Sequence, residues 1–225
     1  MESAAPAGRS LWKLYGWWVL FSTIGWAAGP ILLLLSMGRA ADLVGLAAGL
    51  VVLGAIVGLA QWLVLRLEIP AAGWWILATI VSVAAGVALT WAFLWLVERL
   101  RGPNGLPALA LSGTAPALII AVAGAVAGIL IGAAAGMGQS KALPWHITDV
   151  GWWVLASTLG GALDGALVGN LLWALGGANL VQSTLHPSTP LFAAVGMGLL
   201  AALVGPLKGV ATGIVLVWLR KNRPL

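Results

Sequence analysis

The chain has 225 residues, of which 61% are hydrophobic and only 8% charged, with 11 Lys and Arg against 6 Asp and Glu. A soluble domain carries about a quarter of its residues as charges, so a chain with a mean hydropathy of +1.05 cannot cover itself with a water-compatible surface. The formal net charge of +5 does not point to nucleic acid, because the basic residues stand singly at the ends of apolar runs. The absence of cysteine removes disulfides, thiolate metal sites and cysteine nucleophiles together.

Taken in order, residues 1–12 read as a flexible segment, small and polar over Met1 to Ser10, with Arg9 and Lys13 ahead of the first apolar run. That run, Trp17–Ser36, is long for the apolar stretch of a signal peptide, so it is expected to be a retained span. Further apolar segments follow at Leu43–Leu65, Trp74–Val97, Ala115–Gly138, Trp152–Leu175 and Leu191–Leu219. Each approaches or exceeds the ~20 residues that carry a helix across the hydrocarbon core. Turn chemistry separates them: Gly38-Arg39, Ile69-Pro70, Gly102-Pro103-Asn104-Gly105, Leu143-Pro144 and the stretch from Asn179 to Pro190. Gly205-Pro206 inside the last segment predicts a tilt or kink. The expectation is an all-α, multi-pass transmembrane bundle of six helices in a single domain.

Charge predicts the orientation. Arg9, Lys13, Arg66, Lys141, Arg220, Lys221 and Arg223 fall on the side of the amino terminus, and Arg39, Arg99 and Arg101 on the other. Lys and Arg concentrate on the cytoplasmic side, so both termini are expected in the cytoplasm and the chain in the inner (plasma) membrane. Trp12, Trp17, Trp18, Trp62, Trp74, Trp75, Trp145, Trp152, Trp153 and Trp218 lie toward the same side, and Trp91, Trp95 and Trp173 toward the other. An anchoring belt at the headgroup boundary is the simplest reading of these indoles; a ligand cage is the alternative.

The sequence also repeats itself. Gly16-Trp17-Trp18-Val19-Leu20 recurs as Gly73-Trp74-Trp75-Ile76-Leu77 and Gly151-Trp152-Trp153-Val154-Leu155, with Ser22, Thr79 and Ser157 six positions after each glycine. Gly54-x3-Gly58-x2-Gln61 recurs as Gly132-x3-Gly136-x2-Gln139 and, more loosely, as Gly209-x3-Gly213-x2-Leu216. Gln61 to Gly73 and Gln139 to Gly151 are both 12 residues. The predicted unit is one helical hairpin used three times in parallel orientation, about residues 16–66, 73–141 and 151–220, arranged about a pseudo-threefold axis. The run Gly58-x2-Gln61-Trp62-Leu63-x-Leu65-Arg66, followed by Gly73-Trp74-Trp75-Ile76-Leu77-Ala78, resembles the tandem motif of a group of uncharacterised bacterial polytopic membrane proteins. The resemblance implies the hairpin architecture and carries no activity.

Gln61 and Gln139 are expected as helix-packing amides, each bonding a neighbouring helix, with a pore or substrate contact as the alternative. Gly124, Gly128, Gly132 and Gly136 form a ladder on the fourth span, and Gly161, Gly165 and Gly169 another on the fifth, suited to close helix contact. In this alignment the third hairpin differs from the others. Asp164 stands where they have Gly29 and Gly86, and Lys208 where they have Leu53 and Ile131. A charge at mid-bilayer costs about 2.5–3.5 kcal/mol on insertion scales, so the two are expected to pair or to line a wet cavity. Asp164, Lys208, Thr212 and Ser157 therefore form the candidate intramembrane ion pair or transport site.

Catalytic and metal chemistry is not in evidence. His146 and His186 fall at opposite faces, Glu98 and Asp149 are interfacial, and no phosphate loop, HExxH or carboxylate pair occurs. No cofactor is implied, and a pigment lacks a mid-membrane histidine to ligate it. The expectation is a non-enzymatic scaffold or accessory subunit packing against lipids and possibly other membrane subunits. The alternative is a small-solute or proton-coupled transporter or channel.

Overall fold

The computed structural model describes residues 11–37, 43–66, 73–101, 115–142, 147–174 and 190–222, and within them all regular structure is helical. Six helices follow one another: α1 (Leu11–Met37), α2 (Leu43–Leu65), α3 (Trp74–Arg101), α4 (Ala115–Ser140), α5 (Ile147–Ala174) and α6 (Pro190–Asn222). The five predicted turns, apart from Pro190, and both histidines lie outside the described residues. Each apolar run became one helix, and every helix but α2 extends further at one end or both than hydropathy alone marks. Leu11 to Gly16 and Ile147 to Gly151 continue their helices outward, placing the first and third Gly-Trp-Trp motifs inside a helix, whereas the second stands at the start of α3.

The helix ends follow ordinary backbone accounting. α6 opens on Pro190, whose missing N–H is one that a first turn does not use. α4 closes with tightened turns: Lys141 N donates to Gly138 O at 3.3 Å and Ala142 N to Gln139 O at 3.0 Å, while Ser140 Oγ donates to Met137 O at 2.7 Å. These bonds occupy carbonyls that would otherwise be left without partners.

Among the described residues three helices are long and apolar enough to cross a membrane, with spans at Ala48–Leu65, Trp74–Phe93 and Ala121–Ser140 and mean hydropathies of 2.2, 2.1 and 1.9. The outer surface has the matching character. Leu20, Ile24, Val81, Leu118, Leu163, Leu203 and Ile214 are all exposed, although a water-soluble fold would bury residues of this kind.

Each helix packs against its two neighbours in chain order, and α6 returns to pack against α1, closing a ring of six. Odd helices begin, and even helices end, at the same rim. The core lies inside that rim, where Leu14, Trp18, Val64, Leu65, Trp75, Trp153 and Leu216 form one buried cluster. A second cluster, of Leu53, Val57 and Val83 with Trp26 packed against it, lies deeper along the helices.

The ring closes tightly because glycines remove side chains where backbones meet. The two predicted ladders face each other across α4 and α5. A Cβ on Gly128 would collide with the Gly161 carbonyl, one on Gly124 with the Gly165 carbonyl, and one on Gly136 would lie 2.8 Å from Val154 Cα. The side-chain position of Gly169 lies outside the described residues. Nothing lies within 4 Å of a Cβ built on Gly16, Gly73 or Gly151. The glycine that marks the repeat so clearly in sequence therefore makes no close contact.

Candidate functional site

The Gly-Trp-Trp pairs divide their labour. Trp17, Trp74 and Trp152 point outward and are exposed, as an anchoring belt requires. Trp18, Trp75 and Trp153 do the opposite: all three are 0% exposed and meet at the centre of the ring. Their ring centroids are 6.0, 5.7 and 5.6 Å apart and their planes cross at 76°, 70° and 71°, an edge-to-face triangle with near-threefold symmetry. The belt reading is corrected for these three residues. Adjacent positions on a helix differ by 100° in direction, so one indole of each pair faces out while the other turns inward.

A polar layer lies directly beneath the triangle. Trp75 Nε1 donates to Gln61 Oε1 at 3.1 Å, and Gln139 Nε2 donates to the same oxygen at 3.1 Å and to Thr79 Oγ1 at 3.1 Å. Gln61 Nε2 reaches Ser22 Oγ at 3.4 Å, and Trp18 Nε1 donates to Thr212 Oγ1 at 3.0 Å. The two glutamines are thus bonded to each other and to two other helices, α1 through Ser22 and α3 through Trp75 and Thr79. Every one of these contacts joins residues of the repeat motifs.

These contacts correct the alignment of the third hairpin. Gly54 and Gly58 meet Ile80 and Ile76, seven and three positions after the motif glycine of the next hairpin. The α6 glycines that meet the corresponding residues of α1, Thr23 and Val19, are Gly205 and Gly209. Gly213, aligned with Gly58 from sequence, instead meets Trp18 and Tyr15. The intra-hairpin contact agrees, since Gly25 packs on Val57 in the first hairpin and Gly160 packs on Lys208 in the third. The third copy of the motif is therefore Gly205-x3-Gly209-x2-Thr212, one helical turn earlier than expected. Thr212 stands in the glutamine position, and Lys208 corresponds to Val57 and Ala135, not to Leu53 and Ile131.

The exchange of glutamine for threonine leaves a trace. Ser22 and Thr79 each accept from the glutamine of their own hairpin. Thr212 does not serve the third member in this way, since its one hydroxyl proton goes to Lys208 O at 2.7 Å. Ser157 Oγ is accordingly buried without a hydrogen-bond partner.

The predicted ion pair does not form as a contact. Lys208 is buried at 6% exposure, its stem against Gly160, where a Cβ would lie 3.0 Å from Lys208 Cα and 3.2 Å from Cγ. Its Nζ lies 4.5 Å from the centroid of the Trp26 ring, a cation–π contact reaching from α6 to α1. Asp164, one turn beyond Gly160 on α5, interacts with Lys208 through space, yet its Oδ1 is buried with no hydrogen bond. Trp26 Nε1 is buried and unpartnered as well.

Comparison with known proteins adds no relative. No family model, curated protein or solved structure matches the chain. The site rests on its own geometry, in which Thr212 and Ser157 belong to the polar layer and Asp164, Lys208 and Trp26 to a deeper group. Gln61 and Gln139 do not join that group. Trp26 was not anticipated from sequence, although a signal existed: ten positions after the motif glycine the other copies carry Val83 and Gly161. Among the described residues no three His, Cys, Asp or Glu side chains cluster as metal ligands.

Proposed function

We propose that the chain is a non-enzymatic, six-span integral membrane protein of the inner membrane, with both termini cytoplasmic, acting as a scaffold or accessory subunit. The observation that carries this reading is the closure of the pseudo-threefold axis. The one path that three parallel hairpins would offer a solute is filled at its rim by Trp18, Trp75 and Trp153 and bolted beneath by Gln61 and Gln139. Amides engaged in this way are satisfied by neighbouring helices, which is how packing groups in lipid behave. The exposed aliphatic surface supplies the area against which lipids or partner helices pack. The described glycines of the α4 and α5 ladders are consumed inside the bundle, so a partner would meet aliphatic and indole side chains there. Affinity isolation of the full chain from mild detergent, with chemical cross-linking in native membranes, tests the reading. A stoichiometric membrane partner is expected, and a chain recovered alone from both would count against it.

A second reading, a small-solute or proton-coupled transporter, draws on one observation: the buried Asp164 oxygen has no partner although Lys208 is close by. Reconstituted vesicles distinguish the two. Proton or solute flux abolished by Asp164→Asn, in protein that still assembles, would favour transport over a scaffold.

A further inference from the structure

The deep group, where the third hairpin meets α1 of the first, differs from its counterparts in a directed way. Where Lys208 and Asp164 stand in the third hairpin the first two carry Val57 and Ala135, and Gly29 and Gly86; where Trp26 stands in the first hairpin the other two carry Val83 and Gly161. Three departures from the repeat, on three different helices, thus converge at one corner of the ring. Gly160 is the fourth participant, because its missing side chain seats the lysine stem.

The hydrogen-bond account of this corner does not close. Among the described residues Lys208 has an indole face and no carboxylate in contact, while Asp164 Oδ1 and Trp26 Nε1 are buried with no hydrogen-bond partner. A buried carboxylate oxygen with no protein donor is costly, and so is a buried N–H with no acceptor. Moving the carboxylate into contact with the ammonium would remove most of that cost, and the structure does not do so. Opposite charges held apart, each lacking its mate, form a complementary template for a molecule carrying both charges.

We propose that Asp164, Lys208 and Trp26 form a binding site for a small zwitterion. The guest's anionic end accepts from Lys208 Nζ and Trp26 Nε1, and its cationic end donates to Asp164 Oδ1. Both charges of the site and both of the guest are then paired, and the indole N–H is satisfied. A singly charged guest leaves one of the two protein charges unmatched, which sets the selectivity. The site requires no conduction, so it stands apart from the scaffold reading and is tested separately.

The test uses the full chain in lipid nanodiscs with glycine as the smallest zwitterionic probe, and acetate and methylammonium as probes of one charge each. Thermal unfolding and titration calorimetry are read in parallel. Glycine is expected to raise Tm by about 3 °C at ten times its dissociation constant, with acetate and methylammonium, singly or mixed, giving no comparable rise. Asp164→Asn and Lys208→Met are each expected to weaken glycine binding at least tenfold, and Trp26→Phe, which keeps the ring and removes the N–H, severalfold. The comparison of the three probes on the unmodified chain needs no variant to fold. No heat and no stabilisation from glycine, as for a corner that holds water alone, would overturn the proposal. Equal stabilisation by the singly charged probes would overturn it too, as would full retention of glycine binding in both charge variants.

Discussion

Trp75 is buried on all sides, touches two other indoles and donates its N–H to Gln61, so packing and polar contributions can be separated there. Trp75→Ala is expected to cost about 3–5 kcal/mol of stability in detergent, as for other buried large-to-small changes. Trp75→Phe keeps an aromatic ring and loses the donor, so its cost should be smaller. Ser157 gives the opposite kind of prediction. Its hydroxyl is buried and unpartnered, whereas that of Thr79 accepts from Gln139 and donates to Trp75 O at 2.8 Å. Ser157→Ala should therefore be neutral or stabilising, while Thr79→Val should cost about 1–2 kcal/mol by leaving a buried amide short of an acceptor. Denaturant titration of the two variants under one condition checks the contrast, and equal losses would contradict it.

At the scale of elements, the sequence and the structure agree where the signal is hydropathy and diverge where it is direction. Six apolar runs became six helices because each is long and free of internal charges, Asp164 and Lys208 excepted. Which of two adjacent tryptophans faces inward was not legible, since a helix surrounded by lipid is apolar on every side and gives no amphipathic cue. The register of α6 was hidden for a related reason. Gly205, Gly209 and Gly213 are evenly spaced four apart, so the two-glycine motif fits in either of two positions, and the contacts with Thr23, Val19 and Trp18 on α1 select one. The ladders themselves were legible, and their energetic content is testable. Gly128→Leu places a side chain against the Gly161 carbonyl and is expected to destabilise the α4–α5 pair by about 1–3 kcal/mol or more. Gly151→Ala meets open space and should change stability by less than ~0.5 kcal/mol. A thermal-unfolding series in one detergent decides between a contact role and mere tolerance of glycine.

For the whole molecule, a three-hairpin chain becomes a ring only if its last helix returns to its first. The contacts that do this join α6 to α1 through Gly205 on Trp26, Gly209 on Val19, and Trp18 on Thr212. They also carry the departures from symmetry, because the helix that closes the ring is the one bearing Lys208 and lacking a glutamine. The natural absence of cysteine makes this closure directly measurable, since any introduced pair is the only pair. Paired cysteines at Val19 and Gly209, oxidised in native membranes, should form an intramolecular disulfide rapidly, while the pair at Val19 and Gly213 should form one slowly. Absence of the first cross-link, or dominance of the second, would contradict the closed ring and the one-turn register on which the account of the third hairpin depends.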